Sequence, residues 1–137
     1  MFYYPPVKED VRDSHVARFG KHTDIGTITF LFQDNSGGME VKTKSGEWIH
    51  AIPIKDTVLV LVGDLLSVWS NGLYPATFHR LLVPNDEAQR RRERSSFVYF
   101  VVSDDDVLVQ PLHSRSPTTP IKTSDYFAQR VYSIMKY

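Results

Sequence analysis

Apolar and polar positions along the chain come in short runs broken by turn residues, and most of the runs carry the two-residue period or the β-branched and aromatic content of strands. Phe2, Tyr3 and Tyr4 form a brief strand that Pro5 and Pro6 lead into a polar loop over residues 1–18, since proline lacks a backbone donor and biases its predecessor towards extended geometry. Residues 27–32 (TITFLF) predict a strand that the DNSGG turn at 34–38 ends, and 39–43 with 47–52 predict a hairpin across Lys44, Ser45 and Gly46. The continuous apolar run 57–62 (TVLVLV) predicts a strand covered on both faces, residues 63–69 a single helical turn, and 77–83, 95–102 and 107–110 further strands. Eight or nine such strands with turns at roughly ten-residue spacing predict an all-β sandwich or barrel. The end of the chain differs. Thr123 or Ser124 can cap a helix over 125–135, with Tyr126, Phe127, Arg130, Val131 and Ile134 at near-helical spacing.

Composition narrows the class without naming it. A length of 137 residues fits one domain, expected over 1–137 with a strand and loop at 1–18, a β core at 19–112 and a tail with helix at 113–137. Sixteen basic and sixteen acidic side chains cancel, which removes the electrostatic case for a nucleic-acid or anionic-membrane binder. No apolar run approaches the roughly 20 residues that span a bilayer, and no signal peptide is visible. The sequence has no cysteine, so any metal must be held by nitrogen and oxygen, and the cytosol is the simplest compartment. The RRRER stretch at 90–94 reads as a solvated loop, and Asp104, Asp105 and Asp106 as a turn, because three adjacent side chains converge poorly on one ion.

Candidate chemistry lies in a few spacings. His22 and Asp24 are two apart before a strongly β segment, and in extended chain such side chains share a face. His79, far along the chain, supplies a second imidazole; two histidines and a carboxylate can form a facial triad on iron(II) with positions left open. Arg94 and Ser96 are likewise two apart at a strand start. On one face, a planar guanidinium fork and a hydroxyl can hold a carboxylate.

The order of His22, Thr23 and Asp24, then Phe32, Gln33 and Asp34, Gly37 to Val41, Trp48, Pro53, Gly63 and Asp64, Ser70 to Gly72, Tyr74 and Pro75, His79 and Arg80, and Arg94 to Ser96 resembles the iron(II)- and 2-oxoglutarate-dependent oxygenases, in their isopenicillin N synthase-like branch. The resemblance runs from about residue 2 to residue 112. It implies a double-stranded β-helix, or jelly roll, within an all-β chain with a C-terminal helix. It implies iron(II) on His22, Asp24 and His79, with dioxygen as oxidant. It implies the distal carboxylate of 2-oxoglutarate on Arg94 and Ser96, with the Tyr4 hydroxyl as a further contact, because Tyr3, Tyr4, Pro5 and Pro6 resemble the family's Tyr-Pro-Pro segment. The implied reaction oxidises a small organic molecule while 2-oxoglutarate loses carbon dioxide to give succinate.

The sequence departs from the pattern in three ways. Phe2 stands where many members have Asn, residues 84–92 lengthen the gap between His79 and Arg94, and the N-terminal helical region of the family is not displayed. Pairing with a second copy or another subunit in place of that region is therefore an expectation, because uncovered apolar strand faces are tolerated poorly. Two rival functions share the fold: an iron-dependent oxidase or cyclase that uses no keto acid, against which Arg94 and Ser96 argue, and a catalytically silent binding or regulatory subunit. A plain β-sandwich binding module is the third alternative. Of the remaining histidines, His50 reads as packed or solvent-facing, His15 as a loop residue and His113 as surface. Trp48 and Trp69 read as core, and Leu61, Leu66 and Phe100 as core or cavity lining.

Overall fold

The computed structural model describes residues 1–7, 16–113 and 119–135. Its elements run β1 (Phe2–Tyr4), β2 (Ala17–His22), β3 (Ile28–Gln33), β4 (Met39–Lys42), β5 (Trp48–His50), β6 (Leu59–Val62), α1 (Asp64–Trp69), β7 (His79–Leu82), α2 (Glu87–Arg90), β8 (Arg94–Val101), β9 (Leu108–Val109), β10 (Ile121–Lys122) and α3 (Thr123–Met135). One four-stranded sheet has the order β1-β8-β3-β6, a second β2-β7-β4-β5, and β10 pairs with β9. β1 lies antiparallel to β8, and β7 lies antiparallel to both β2 and β4. The chain is mostly β, with the C-terminal helix that the residue spacing predicts.

By backbone proximity the residues form two compact units, Met1–Thr23 with Phe30–Val60 and Thr77–Tyr99, and Asp24–Thr29 with Leu61–Ala76 and Phe100–Tyr137. In the first, Leu31, Met39, Leu81 and Val83 are buried, supplied by β3, β4, β7 and the residue after β7. The two-residue period sorts the first part of β8: Arg94 and Ser96 are buried and Phe97 is exposed, while farther along both Tyr99 and Phe100 are exposed. The Tyr99 ring lies near-parallel to Phe30, 6.5 Å away. In the second unit, Leu61, Leu65 and Val109 form the core, and Asp64 at the start of α1 accepts from Arg130 Nε of α3 at 2.7 Å.

Several expectations are corrected. β3 and β8 keep the expected lengths, displaced by one residue, but β4, β5, β6, β7 and β9 are shorter than the runs suggested; β6 lies at a sheet edge with Val60 49% exposed, so the 57–62 run is not covered on both faces. An edge strand has only one neighbour, which run length alone does not reveal. Trp48 and Trp69 are half-buried, outside the core: the Arg80 guanidinium stacks over Trp48 at 4.3 Å, and Trp69 Nε1 donates to the Leu108 carbonyl. α2 and β10 were not anticipated; α2 is capped by Asp86, whose side chain accepts from the Gln89 N–H. The 90–94 stretch is not one solvated loop, since it holds the end of α2 and the buried Arg94. Thr123 lies within α3 rather than before it, and its hydroxyl donates to the Val107 carbonyl.

Gly63 illustrates how one residue sets the path of the backbone. A Cβ there would lie 2.0 Å from the Gly26 carbonyl oxygen and 3.2 Å from that of Asp24. Only a residue without a side chain lets 63 and 24–26 approach this closely, and the Gly63 N–H donates to Thr27 while the Asp64 N–H donates to Asp24. Gly63→Ala must push that backbone apart, an expected loss of about 2–3 kcal/mol as for other overpacked sites, visible as a lower urea midpoint.

Candidate metal and carboxylate site

β2 and β7 pair so that His22 stands directly opposite His79. Directly opposed residues of an antiparallel pair project to the same face, and the two imidazole rings lie 4.1 Å apart, tilted by 54°. Asp24 follows β2 at the next-but-one position and is buried, as is His79. Each of the three offers one ligand atom, and these atoms lie within 4.8 Å of one another. Among the described residues this is the group of histidine and acidic side chains whose donors converge.

Both rings are oriented by the main chain two residues upstream. His22 Nδ1 lies 2.9 Å from the Gly20 carbonyl oxygen, and His79 Nδ1 lies 3.0 Å from that of Thr77. A carbonyl only accepts, so Nδ1 is the donor in each of these contacts, and Nε2 is the ring atom turned to other partners. This is how metal-binding histidines are ordinarily held. Two imidazole nitrogens and a carboxylate form a nitrogen–oxygen donor set suited to iron(II).

The residues named for a carboxylate clamp also lie together. Arg94, 3% exposed, donates from Nε to the Gly37 carbonyl at 3.2 Å, from Nη1 to Ser96 Oγ at 3.3 Å and from Nη2 to Gln33 Oε1 at 3.2 Å. Among the described residues three of the five guanidinium N–H groups are thus engaged. Because a guanidinium only donates, Ser96 Oγ accepts from it and keeps its own proton to donate. Tyr4 is the cross-strand partner of Arg94, and its ring lies 5.5 Å beneath the guanidinium carbon. Burial lowers the Arg94 pKa, and the Asp34 carboxylate partly offsets that effect.

Gln33, Gly37 and Asp34 belong to the motif quoted from the sequence, but their support of Arg94 and β8 was not anticipated. Asp34 accepts from the N–H groups of Ser95 and Ser36 and from the Ser36 hydroxyl. Burial alone would raise its pKa, yet these hydrogen bonds and Arg94 outweigh it and hold the carboxyl below the usual range. A group depressed in the folded state contributes stability above its unfolded pKa, near 4, and loses it as the pH falls through the folded value. Thermal melts should therefore separate wild type from Asp34→Asn at pH 7, and the two curves should converge at lower pH.

The other expectations are settled simply. His50 is exposed, with Nδ1 3.5 Å from a Glu40 carboxylate oxygen; His113 is exposed, as are Asp104, Asp105 and Asp106 in their turn. Leu61 is core, Leu66 is half-buried and Phe100 is exposed. His15 lies outside the described residues. No helix among the described residues is long and apolar enough to cross a membrane.

Comparison with known proteins agrees with this geometry. The model of the 2OG-Fe(II) oxygenase superfamily matches residues 1–103. The chain is 38% identical over 114 residues to homoarginine-6-hydroxylase 2-ODD-C23 of Glycine max, across 82% of this chain and 32% of that protein. It is 34% identical over 137 residues to gibberellin 20 oxidase 2 of Oryza sativa subsp. indica, across 95% of this chain and 32% of that one. Among solved structures, a full-length Neurospora crassa protein in complex with alpha-KG and 5-formyluracil superposes with a TM-score of 0.85 at 34% identity, covering 96% of this chain and 45% of that one. The chain thus spans about a third of the length of the curated relatives it matches.

Proposed function

The chain belongs to the 2OG-Fe(II) oxygenase superfamily and has its double-stranded β-helix fold, and from that premise we propose that it oxidises a small organic molecule, by hydroxylation or a related step, coupled to decarboxylation of 2-oxoglutarate to succinate. The observation that carries this reading is the convergence of His22, Asp24 and His79 in a chain that also buries Arg94 beside Ser96. His22, Asp24 and His79 would hold iron(II), and Arg94, Ser96 and Tyr4 the distal carboxylate of the keto acid. Bound iron(II) with 2-oxoglutarate supplies the activation of dioxygen that no side chain provides.

The protein's own contribution is positional. Nδ1–H bonds to Gly20 and Thr77 fix the ring planes, so the ligand nitrogens need little reorganisation when metal arrives. The terminal N–H groups of Arg94 and the Ser96 hydroxyl present donors to a carboxylate without further rearrangement. An oxidase or cyclase that uses no keto acid has no need of this clamp.

Incubation with iron(II), 2-oxoglutarate, ascorbate and air tests the reading. Succinate formation, even uncoupled from a substrate, is expected; iron binding without succinate would assign the chain to a silent binding subunit. The same reading includes a covering partner, a second copy or another subunit. Phe32, Phe97 and Tyr99 of the neighbouring strands β3 and β8 are 51%, 60% and 65% exposed, apolar side chains that a partner would cover. Sedimentation giving a monomer with no dye-accessible apolar surface would overturn that part.

A further inference from the structure

Gln33, at the end of β3, makes two side-chain hydrogen bonds of opposite sense. Its Oε1 accepts from Arg94 Nη2 at 3.2 Å, and its Nε2 donates to the Ala51 carbonyl at 3.0 Å. A guanidinium only donates and a carbonyl only accepts, so these partners allow the amide one orientation. The Ala51 end is itself held, because the Ala51 N–H donates to the Met39 carbonyl of β4. The other Arg94 bonds go to the Gly37 carbonyl and the Ser96 hydroxyl, so its three acceptors among the described residues are all uncharged. The carboxylate next in sequence, Asp34, accepts from Ser36 and from the Ser95 N–H instead.

We propose that Gln33 is a positioning residue that sets the charge preference of this site: it orients the Arg94 fork through a neutral acceptor, so that the guanidinium keeps its charge for the distal carboxylate of the keto acid. This deepens the reading of Arg94 as the carboxylate clamp and rests on it. A buried arginine needs acceptors for its N–H groups, and a carboxylate would be the strongest of them. It would also neutralise the cation, and an arriving anion would have to displace it. A primary amide satisfies the same N–H without that competition. A carboxylate at position 33 would moreover turn an oxygen towards the Ala51 carbonyl, where Gln33 presents a donor.

Anaerobic calorimetric titration of the iron(II)-loaded protein tests this without turnover, using 2-oxoglutarate and 2-oxopentanoate, which has the same carbon chain without the distal carboxylate. Gln33→Glu is expected to weaken 2-oxoglutarate about 20-fold, the order of one charge-assisted hydrogen bond, and to leave 2-oxopentanoate unchanged. Gln33→Met, which removes the acceptor but adds no charge, should weaken 2-oxoglutarate less than Gln33→Glu does. Equal weakening of both keto acids would mean that Gln33 only joins β3 to residue 51, and would overturn the proposal. So would Gln33→Glu with wild-type 2-oxoglutarate affinity while Arg94→Gln loses it, an outcome that leaves the clamp standing. Arg94→Gln with an undiminished preference for 2-oxoglutarate, or wild-type protein that binds neither keto acid, would sink the clamp and Gln33's role together. If Gln33→Glu does not fold, Gln33→Met decides: a loss confined to 2-oxoglutarate supports the proposal, and an equal loss of both, or none, overturns it.

Discussion

Replacing His79 with alanine is expected to lower iron(II) affinity by more than about 100-fold while the far-ultraviolet circular dichroism stays that of the wild type. Even outer groups that merely orient a ligand cost about 10–100-fold when removed, and His79 is itself a proposed ligand. Its ring is packed against that of His22 at 4.1 Å, so the substitution also opens a small void. The strand is nonetheless held by pairing on both sides, with β2 and β4, and the fold should survive. Anaerobic equilibrium dialysis with iron(II) gives the affinity, and succinate formation should fall to background in the same protein. His79→Ala with wild-type iron affinity would mean that the metal, if one binds, sits elsewhere.

Arg94→Ala should have the second-largest effect, and it should appear in two measurements. Keto-acid binding should weaken by roughly 2–5 kcal/mol, the range for removing one partner of a buried, hydrogen-bonded charge pair. Stability without any ligand should also fall, by about 1–3 kcal/mol, because the Gln33 side chain and the Gly37 carbonyl both lose their donor. Lysine should not rescue either property, since a point charge cannot reproduce three N–H bonds in a planar fork. Unchanged 2-oxoglutarate affinity in Arg94→Ala would show that the clamp is misassigned.

The parts of the site that could be read from the chain are those that a strand's alternation makes local. His22 with Asp24, and Arg94 with Ser96, are neighbours by period, so their shared face followed from extended geometry. The pairing that sets His22 opposite His79 is non-local; the residue types offered a triad, and the resemblance joined all three on one ion. What stayed hidden is what depends on tertiary path. Arginine at a strand start is ordinarily a surface residue, and nothing near Arg94 in sequence announces that Gln33 and Gly37, 61 and 57 positions earlier, would satisfy it in the interior. Nor did the run 57–62 disclose that its strand would lie at an edge, or Trp48 that an arginine would shelter it in place of a core.

The hydrogen bonds that set the two imidazoles carry a consequence for how this protein can vary. Their acceptors are the carbonyls of residues 20 and 77, and every amino acid brings the same carbonyl. Ring orientation is thereby insulated from mutation at those two positions, provided that the local strand geometry holds. A saturation library should find positions 20 and 77 permissive for metal uptake while 22, 24 and 79 admit almost nothing.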